Sequence, residues 1–377
     1  MLISRAKWVR FSLILFLSAF FVSIQPPRVI AQDAVDIVVE SSTADSNFPD
    51  DMRFELAADV DGDVERVDLV YEESRVETLE LLPAVFEQSG DDLSASAIAD
   101  FATYYIPAGI DLTYHWVITF DDEEVAETEQ AVVTWLDDRF EWDRADGNGV
   151  EIYSYDRSEN FIDLVVETAN EAVGELTVLY DPPNTLPIRI WLYDSDDDFA
   201  GTLAANSEEW AAGAAYPALQ LILAVIPEGS DSEVLRIIPH EISHQILYQA
   251  TLNPFNSAAT WIDEGLAVLA QIGGKNHYRR LVENAYDDGD LLTLRGLISS
   301  FPFDPAEATL AYGESYLVTQ FILDQYGEDA IQAIIAAYRN GASHDDVLRE
   351  ALGVTVEELE QAWLGELASN GRGDPVA

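Results

Sequence analysis

The segment His240-Glu241-Ile242-Ser243-His244 constrains this chain more than any other stretch. Two histidines four residues apart lie one turn apart on the same face of an α-helix, so two imidazole nitrogens can reach one point in space. Ile237, Ile238, Ile242, Ile246 and Leu247 surround them at helical spacing, which predicts a helix packed against other elements. Ser230 and Glu233 have the spacing of a capping box and predict the helix start. Pro239 directly precedes His240 and removes one helix hydrogen bond. The helix is therefore expected either to kink at Pro239 or to begin close to it, with both histidines on the C-terminal side.

Twenty residues after His244 comes Asp263-Glu264-Gly265-Leu266-Ala267, the start of a second apolar, helix-like segment. His240, His244 and Glu264 together offer two nitrogens and one carboxylate, a ligand set for zinc that leaves a fourth position for water. Glu241, beside the first histidine, is then placed to take a proton from that water. Two ordinary helix histidines are the competing reading. The other three histidines (His115, His277 and His344) are scattered.

Composition limits the partners. The 377 residues include 70 acidic and 19 basic side chains, with Lys7 and Lys275 as the lysines, for a formal net charge of −51. Nucleic acid and anionic membrane surfaces are disfavoured as partners. The run Asp194-Ser195-Asp196-Asp197-Asp198 suggests calcium only weakly, because it lacks the glycine and terminal glutamate of a calcium loop. With no cysteine in the chain, disulfides, thiolate metal sites and a lipid-modified cysteine are all excluded.

Residues 1–31 read as a secretory signal: Arg5, Lys7 and Arg10 precede an apolar run from Phe11 to Ile24, and Val29-Ile30-Ala31 offers a cleavage site. That run of fourteen residues is short for a membrane span of about 20 residues. Export without lasting membrane association is the expectation. Residues 32–140 are expected to form a β-sandwich domain. Met52 to Ala58, Val64 to Tyr71, Phe101 to Ile106, Asp111 to Phe120 and Glu124 to Trp135 read as strands, with Asp61-Gly62-Asp63 and Pro107-Ala108-Gly109 as turns. Strands without intervening helices point to an antiparallel sandwich of immunoglobulin-like type. Asp146-Gly147-Asn148-Gly149 marks a turn or linker.

From residue 150 to 377 the pattern becomes mixed, giving an α+β class overall. Ser158 is expected to cap a helix, and Ile188 to Tyr193 and Leu219 to Val225 to form strands. The two metal-site helices follow, the second closed by Gly273-Gly274. Helices are then expected over Ala306–Tyr326, Asp329–Tyr338, His344–Leu352 and Val356–Leu367. Arg372-Gly373-Asp374 in the tail reads as coincidence.

Over roughly residues 150–370 the chain resembles the gluzincin metallopeptidases, the group that includes thermolysin and the aminopeptidase N family. His240, Glu241 and His244 match the group's H-E-x-x-H helix, and Glu264 matches its third zinc ligand. Trp261-Ile262-Asp263-Glu264-Gly265-Leu266-Ala267 is similar to a form found in secreted peptidases of this kind with an upstream β-sandwich. The resemblance implies zinc, a peptide or protein substrate, and Glu241 as the catalytic base. It also implies that Tyr312, followed by Ser315 and Gly327, donates to the developing oxyanion. Read without the resemblance, Tyr312 and Tyr316 are aromatic residues one turn apart, the pattern of a core.

Two departures from the family pattern matter. Aminopeptidases carry a strand glutamate that grips the substrate's amino terminus, and at that spacing this chain has Gly213-Ala214-Ala215-Tyr216-Pro217, with Tyr216 in the glutamate's place. The expectation is an endopeptidase, with Leu219–Val225 pairing with an extended peptide. Secondly, Ala267 replaces the aspartate that orients a zinc histidine in thermolysin-like members. Asp263 lies about 100° around the helix from Glu264 and is expected to be a poor substitute. A non-catalytic extracellular scaffold, and a zinc hydrolase of non-protein substrates, are the alternatives to a peptidase.

Overall fold

The computed structural model describes residues 37–73, 76–200, 202 and 213–370. The expected signal at residues 1–31 and the tripeptide Arg372-Gly373-Asp374 lie outside the described residues. The first elements are β1 (Ile37–Asn47), β2 (Asp51–Val60), β3 (Val64–Glu73), β4 (Val76–Pro83), β5 (Val85–Ser89), β6 (Asp92–Asp100), β7 (Asp111–Phe120), β8 (Val125–Glu127) and β9 (Ala131–Thr134). They build two antiparallel sheets, β1-β2-β6-β5 and β4-β3-β7-β8, with β9 also paired to β7.

Strict alternation sets the inward faces. Met52, Phe54, Leu56, Ala58 and Val60 on β2 are buried, as are Leu112, Tyr114, Trp116, Ile118 and Phe120 on β7, and they share one apolar core. Phe101–Ile106 is a turn rather than the expected strand. Asp100 accepts hydrogen bonds from Thr103 N–H (2.9 Å) and Thr103 Oγ1 (2.8 Å), and Phe101 packs inward on Trp135. The single strand expected over Glu124–Trp135 is split into β8 and β9, both borrowing the edge of β7.

The second half contains β10 (Asp143–Asp146), β11 (Val150–Ser154), α1 (Glu159–Tyr180), β12 (Ile188–Tyr193), the short α2 (Asp196–Phe199), β13 (Gly213–Tyr216) and β14 (Leu221–Val225). Helices α3 (Asp231–Thr251), α4 (Thr260–Ala270), α5 (Asn276–Asp288), α6 (Pro305–Tyr326), α7 (Glu328–Arg339), α8 (His344–Leu352) and α9 (Val356–Asn370) follow. The strands form a mixed sheet in the order β10-β11-β12-β14-β13. Among the described residues no helix is long and apolar enough to cross a membrane.

Both faces of this sheet are covered, which explains the unbroken apolar run of β14. Ile188, Ile190, Leu192, Ile222 and Ala224 face the helices, whereas Trp191, Tyr193, Leu221, Leu223 and Val225 join the core of the two antiparallel sheets. Polar ties cross the same boundary: Arg189 to Asp111 (2.6 Å), Tyr193 Oη to Asp137 (3.3 Å) and Tyr105 to Tyr216 (2.8 Å between hydroxyls). The antiparallel sheets thus form one covering layer of the α+β half.

Leu219–Val225 does not offer the free edge expected of it. β14 is paired to β12 on one side and β13 on the other, so among the described residues the sheet edge beside α3 belongs to β13. The acidic run also has internal duties. Ser195 Oγ caps α2, Asp194 accepts from Arg157 and Glu228 N–H, and Asp198 accepts from Tyr155.

One buried carboxyl gives the fold a pH signature. Glu314 on α6 is fully buried; Oε1 accepts Leu292 N–H at 2.9 Å and Oε2 has no partner. Burial, opposed by that hydrogen bond and assisted by the Glu360 charge, pushes its pKa from 4.5 up to about 8. The folded chain therefore keeps a proton that the unfolded chain releases. This contribution to stability is complete below about 4.5 and is lost as pH rises to about 8. Glu314→Gln should gain stability over wild type as pH rises from 5 to 8, by at most ~1.4 kcal/mol per pH unit, seen as a widening Tm difference. Parallel Tm–pH profiles for the two proteins would contradict this.

Candidate metal centre

Helix α3 is buried along most of its length. Ile238, Ile242 and Ile246 have no exposure, Tyr180 on α1 hydrogen-bonds Ser243 at 2.8 Å, and Gln245 donates to the Leu221 carbonyl at 2.8 Å. These contacts fix the rotation of α3 and send His240 and His244 towards α4. The helix runs through Pro239 rather than starting near it. The capping box is not formed: Ser230 makes no side-chain cap, and Glu233 instead pairs with Arg236.

The three expected ligands converge. His240 Nε2 lies 3.3 Å from His244 Nε2, and Glu264 Oε2 lies 3.5 Å from the first and 3.6 Å from the second. A tetrahedral zinc ion with bonds of ~2.0–2.2 Å would hold its ligands roughly 3.3–3.6 Å apart. Glu264 Oε2 is buried and finds no hydrogen-bond partner, as an oxygen reserved for a cation would be. Among the described residues this is the one group of three or more metal-ligating side chains. The donor set and its spacing fit zinc.

The electrostatics agree. Burial favours the neutral form of Glu264, but His244 and His240 outweigh it and hold its pKa below the usual range. Burial likewise opposes charge on His244, yet Asp263, Glu264 and Glu241 push its pKa up to about 10. The pocket favours positive charge, and a metal ion bound there would compete with a proton.

Asp263 reverses the expectation set for it. Its Oδ1 is 2.6 Å from His244 Nδ1. The divergence of adjacent side chains on α4 is what allows this, because the imidazole's two nitrogens face opposite ways. Glu264 approaches Nε2 and Asp263 approaches Nδ1, so the two carboxylates straddle one ring. The aspartate missing at Ala267 is replaced by one four residues earlier. Gln271, which no motif in the sequence marks, has its side-chain amide 3.0 Å from His240 Nδ1.

Glu241 is 8% exposed and lies against β13, where a Cβ on Gly213 would sit 2.9 Å from Oε1. A larger residue there would have to displace the Glu241 carboxylate. Tyr312 on α6 has its ring 6.3 Å from that of His240 and edge-on to Phe301. Tyr316, one turn on, has its ring 6.5 Å from that of Tyr278 and 5.9 Å from Lys275 Nζ.

The depth of Glu264 is set by its neighbour. At Gly265 a Cβ would lie 2.2 Å from Thr319 Oγ1 and 2.5 Å from the Ser315 carbonyl, so α4 and α6 cross in near backbone contact. Gly265→Ala should force the helices apart, cost ~1–3 kcal/mol of stability and weaken zinc binding. Thermal melts and zinc titration test this; wild-type values for both would contradict it.

No curated protein matches the chain. Among solved structures, a mutant M1 zinc metallopeptidase from Deinococcus radiodurans is 11% identical, with 90% of this chain and 96% of that one covered and a TM-score of 0.39. An aminopeptidase N family protein from Idiomarina loihiensis is 8% identical, with 85% and 76% covered and a TM-score of 0.40. The family model for the Peptidase MA superfamily matches residues 168–369, which include both α3 and α4. This match spans more than half of the 377 residues, and the chain belongs to the Peptidase MA superfamily.

Proposed function

We propose that the protein is a secreted zinc-dependent endopeptidase of gluzincin type. The observation that carries this reading is the triangle of His240 Nε2, His244 Nε2 and Glu264 Oε2 beside Glu241. Bound there, zinc supplies Lewis acidity, lowering the pKa of a water to about 7 and polarising a carbonyl. The chain's residues do the rest. Glu241 takes the proton of the attacking water and returns it to the leaving amine. Asp263 holds the His244 ring so that Nε2 faces the centre. Tyr312 is assigned as the hydroxyl donor to the developing oxyanion.

Internal cleavage is favoured by what surrounds the centre. The edge of β13, unpaired among the described residues, passes Glu241 at Gly213 and can pair with an extended peptide. At the end of that strand Tyr216 is engaged with Tyr105 and supplies no carboxylate for a substrate ammonium group. A cavity of about 270 Å³ lined by His244, Pro217, Tyr248, Leu252 and Asp263 continues beyond the metal ligands, giving room for chain on that side. Secretion is inferred from the basic and apolar pattern of residues 1–31. The two antiparallel sheets around one core support an immunoglobulin-like assignment for the first domain.

Mass-spectrometric profiling of a mixed peptide library, with wild type and Glu241→Gln in parallel, tests the function. Internal cuts by wild type are expected, with a rate ~10²–10⁴-fold lower in the variant and zinc still bound. Removal of single amino-terminal residues would overturn the endopeptidase assignment. Absence of cleavage by zinc-loaded wild type would favour a scaffold or a hydrolase of other substrates.

A further inference from the structure

The two histidines differ in what lies behind them. His244 is backed by a carboxylate, Asp263, which can only accept a hydrogen bond when ionised. His240 is backed by Gln271, whose amide can either donate or accept. We propose that Gln271 is the positioning residue for His240, and that its carbonyl oxygen accepts the Nδ1–H when the metal binds, leaving the Nε2 lone pair for the ion.

A neutral imidazole carries one N–H and one lone pair, so the partner at Nδ1 decides what Nε2 can do. With the amide nitrogen of Gln271 facing Nδ1 at 3.0 Å, Nε2 carries the proton and directs it towards Glu264 Oε2, 3.5 Å away. A metal bound at Nε2 requires the opposite tautomer. With the amide nitrogen at Nδ1, the Gln271 carbonyl oxygen is left buried with no hydrogen-bond partner. A half-turn of the amide brings that oxygen to Nδ1, moves the ring proton to Nδ1 and frees Nε2. The amide's two ends occupy nearly equal space, so the exchange needs no backbone movement. Gln271 is 3% exposed, so water is poorly placed to take over the role.

Pro239 anchors this partner. Having no N–H, it cannot bond the Leu235 carbonyl one turn back. Ile272 N–H donates to that carbonyl instead, at 2.9 Å. The residue after Gln271 is therefore tied to the turn of α3 that immediately precedes His240. Lys275 Nζ, donating to the Leu269 carbonyl at 2.9 Å, closes the same end of α4. The proline that looks disruptive in a histidine helix is the docking point for the segment that orients the first histidine.

This inference rests on the proposed metal role of His240, and the two can fail separately. Zinc affinity by chelator competition should fall ~10–100-fold in Gln271→Met. Gln271→Glu, which keeps an acceptor of the same length, should bind at least as tightly as wild type. Nitrogen-15 NMR of the His240 ring should report Nε2–H in metal-free protein and Nδ1–H in zinc-loaded protein. The cobalt-substituted visible spectrum should be preserved in Gln271→Glu and altered in Gln271→Met. Equal affinities for all three proteins, or equal losses in both variants, would overturn the proposal. If Gln271→Met does not fold, the Gln271→Glu affinity and the wild-type ring spectra decide it alone, and an unchanged His240 tautomer on zinc loading would refute it. Zinc-free wild type at saturating metal would instead sink the underlying metal reading.

Discussion

Three lone-pair donors held within 3.6 Å of one another, in a pocket that excludes most water, repel each other unless a proton or a cation joins them. The α+β half is arranged to enforce that proximity. The face of α3 is fixed by α1 through Tyr180 and by the sheet through Gln245. Meanwhile α4 is pressed against α6 at Gly265, which sets how far Glu264 reaches. The scaffold thus holds apart two helices whose side chains meet at one point, and the raised His244 and lowered Glu264 pKa values are the electrical record of that arrangement.

Around this centre the chain distributes tasks over short, local devices. Asp263 and Glu264 are neighbours in sequence but address opposite nitrogens of one ring. Gly213 brings the outer strand of the described sheet to Glu241, while the two antiparallel sheets share a core with the far face of the mixed sheet and bring Tyr105 to the end of that strand. The two antiparallel sheets therefore share one apolar core with a face of the mixed sheet. Trp135 and the mixed sheet's Trp191 both lie in it.

Much of the centre was legible because it is local. Helical periodicity puts His240 and His244 together, and a short connection returns Glu264 to them. What was misread depended on long-range geometry. Around α4 alone Asp263 diverges from Glu264, but an imidazole can be gripped from two edges, and Asp263 takes the second. Gln271 stands 31 residues from His240 and belongs to no motif; the clue was Pro239, whose unmet carbonyl partner implies a visiting donor. Strand pairing shows the same limit. The apolar run of β14 reads as a buried strand, but which strand keeps a free edge is set by partners that sequence periodicity does not identify. The turn at Phe101–Ile106 has strand-like composition because its aromatics anchor the core, while Asp100 bends the backbone.

The most direct test of the account is a crystal structure of the zinc-soaked protein with anomalous data collected on both sides of the zinc absorption edge. The account predicts one strong peak about 2.0–2.2 Å from His240 Nε2, His244 Nε2 and Glu264 Oε2 together. No peak at that point, or a zinc ion held by other side chains while Glu264 turns away, would contradict it.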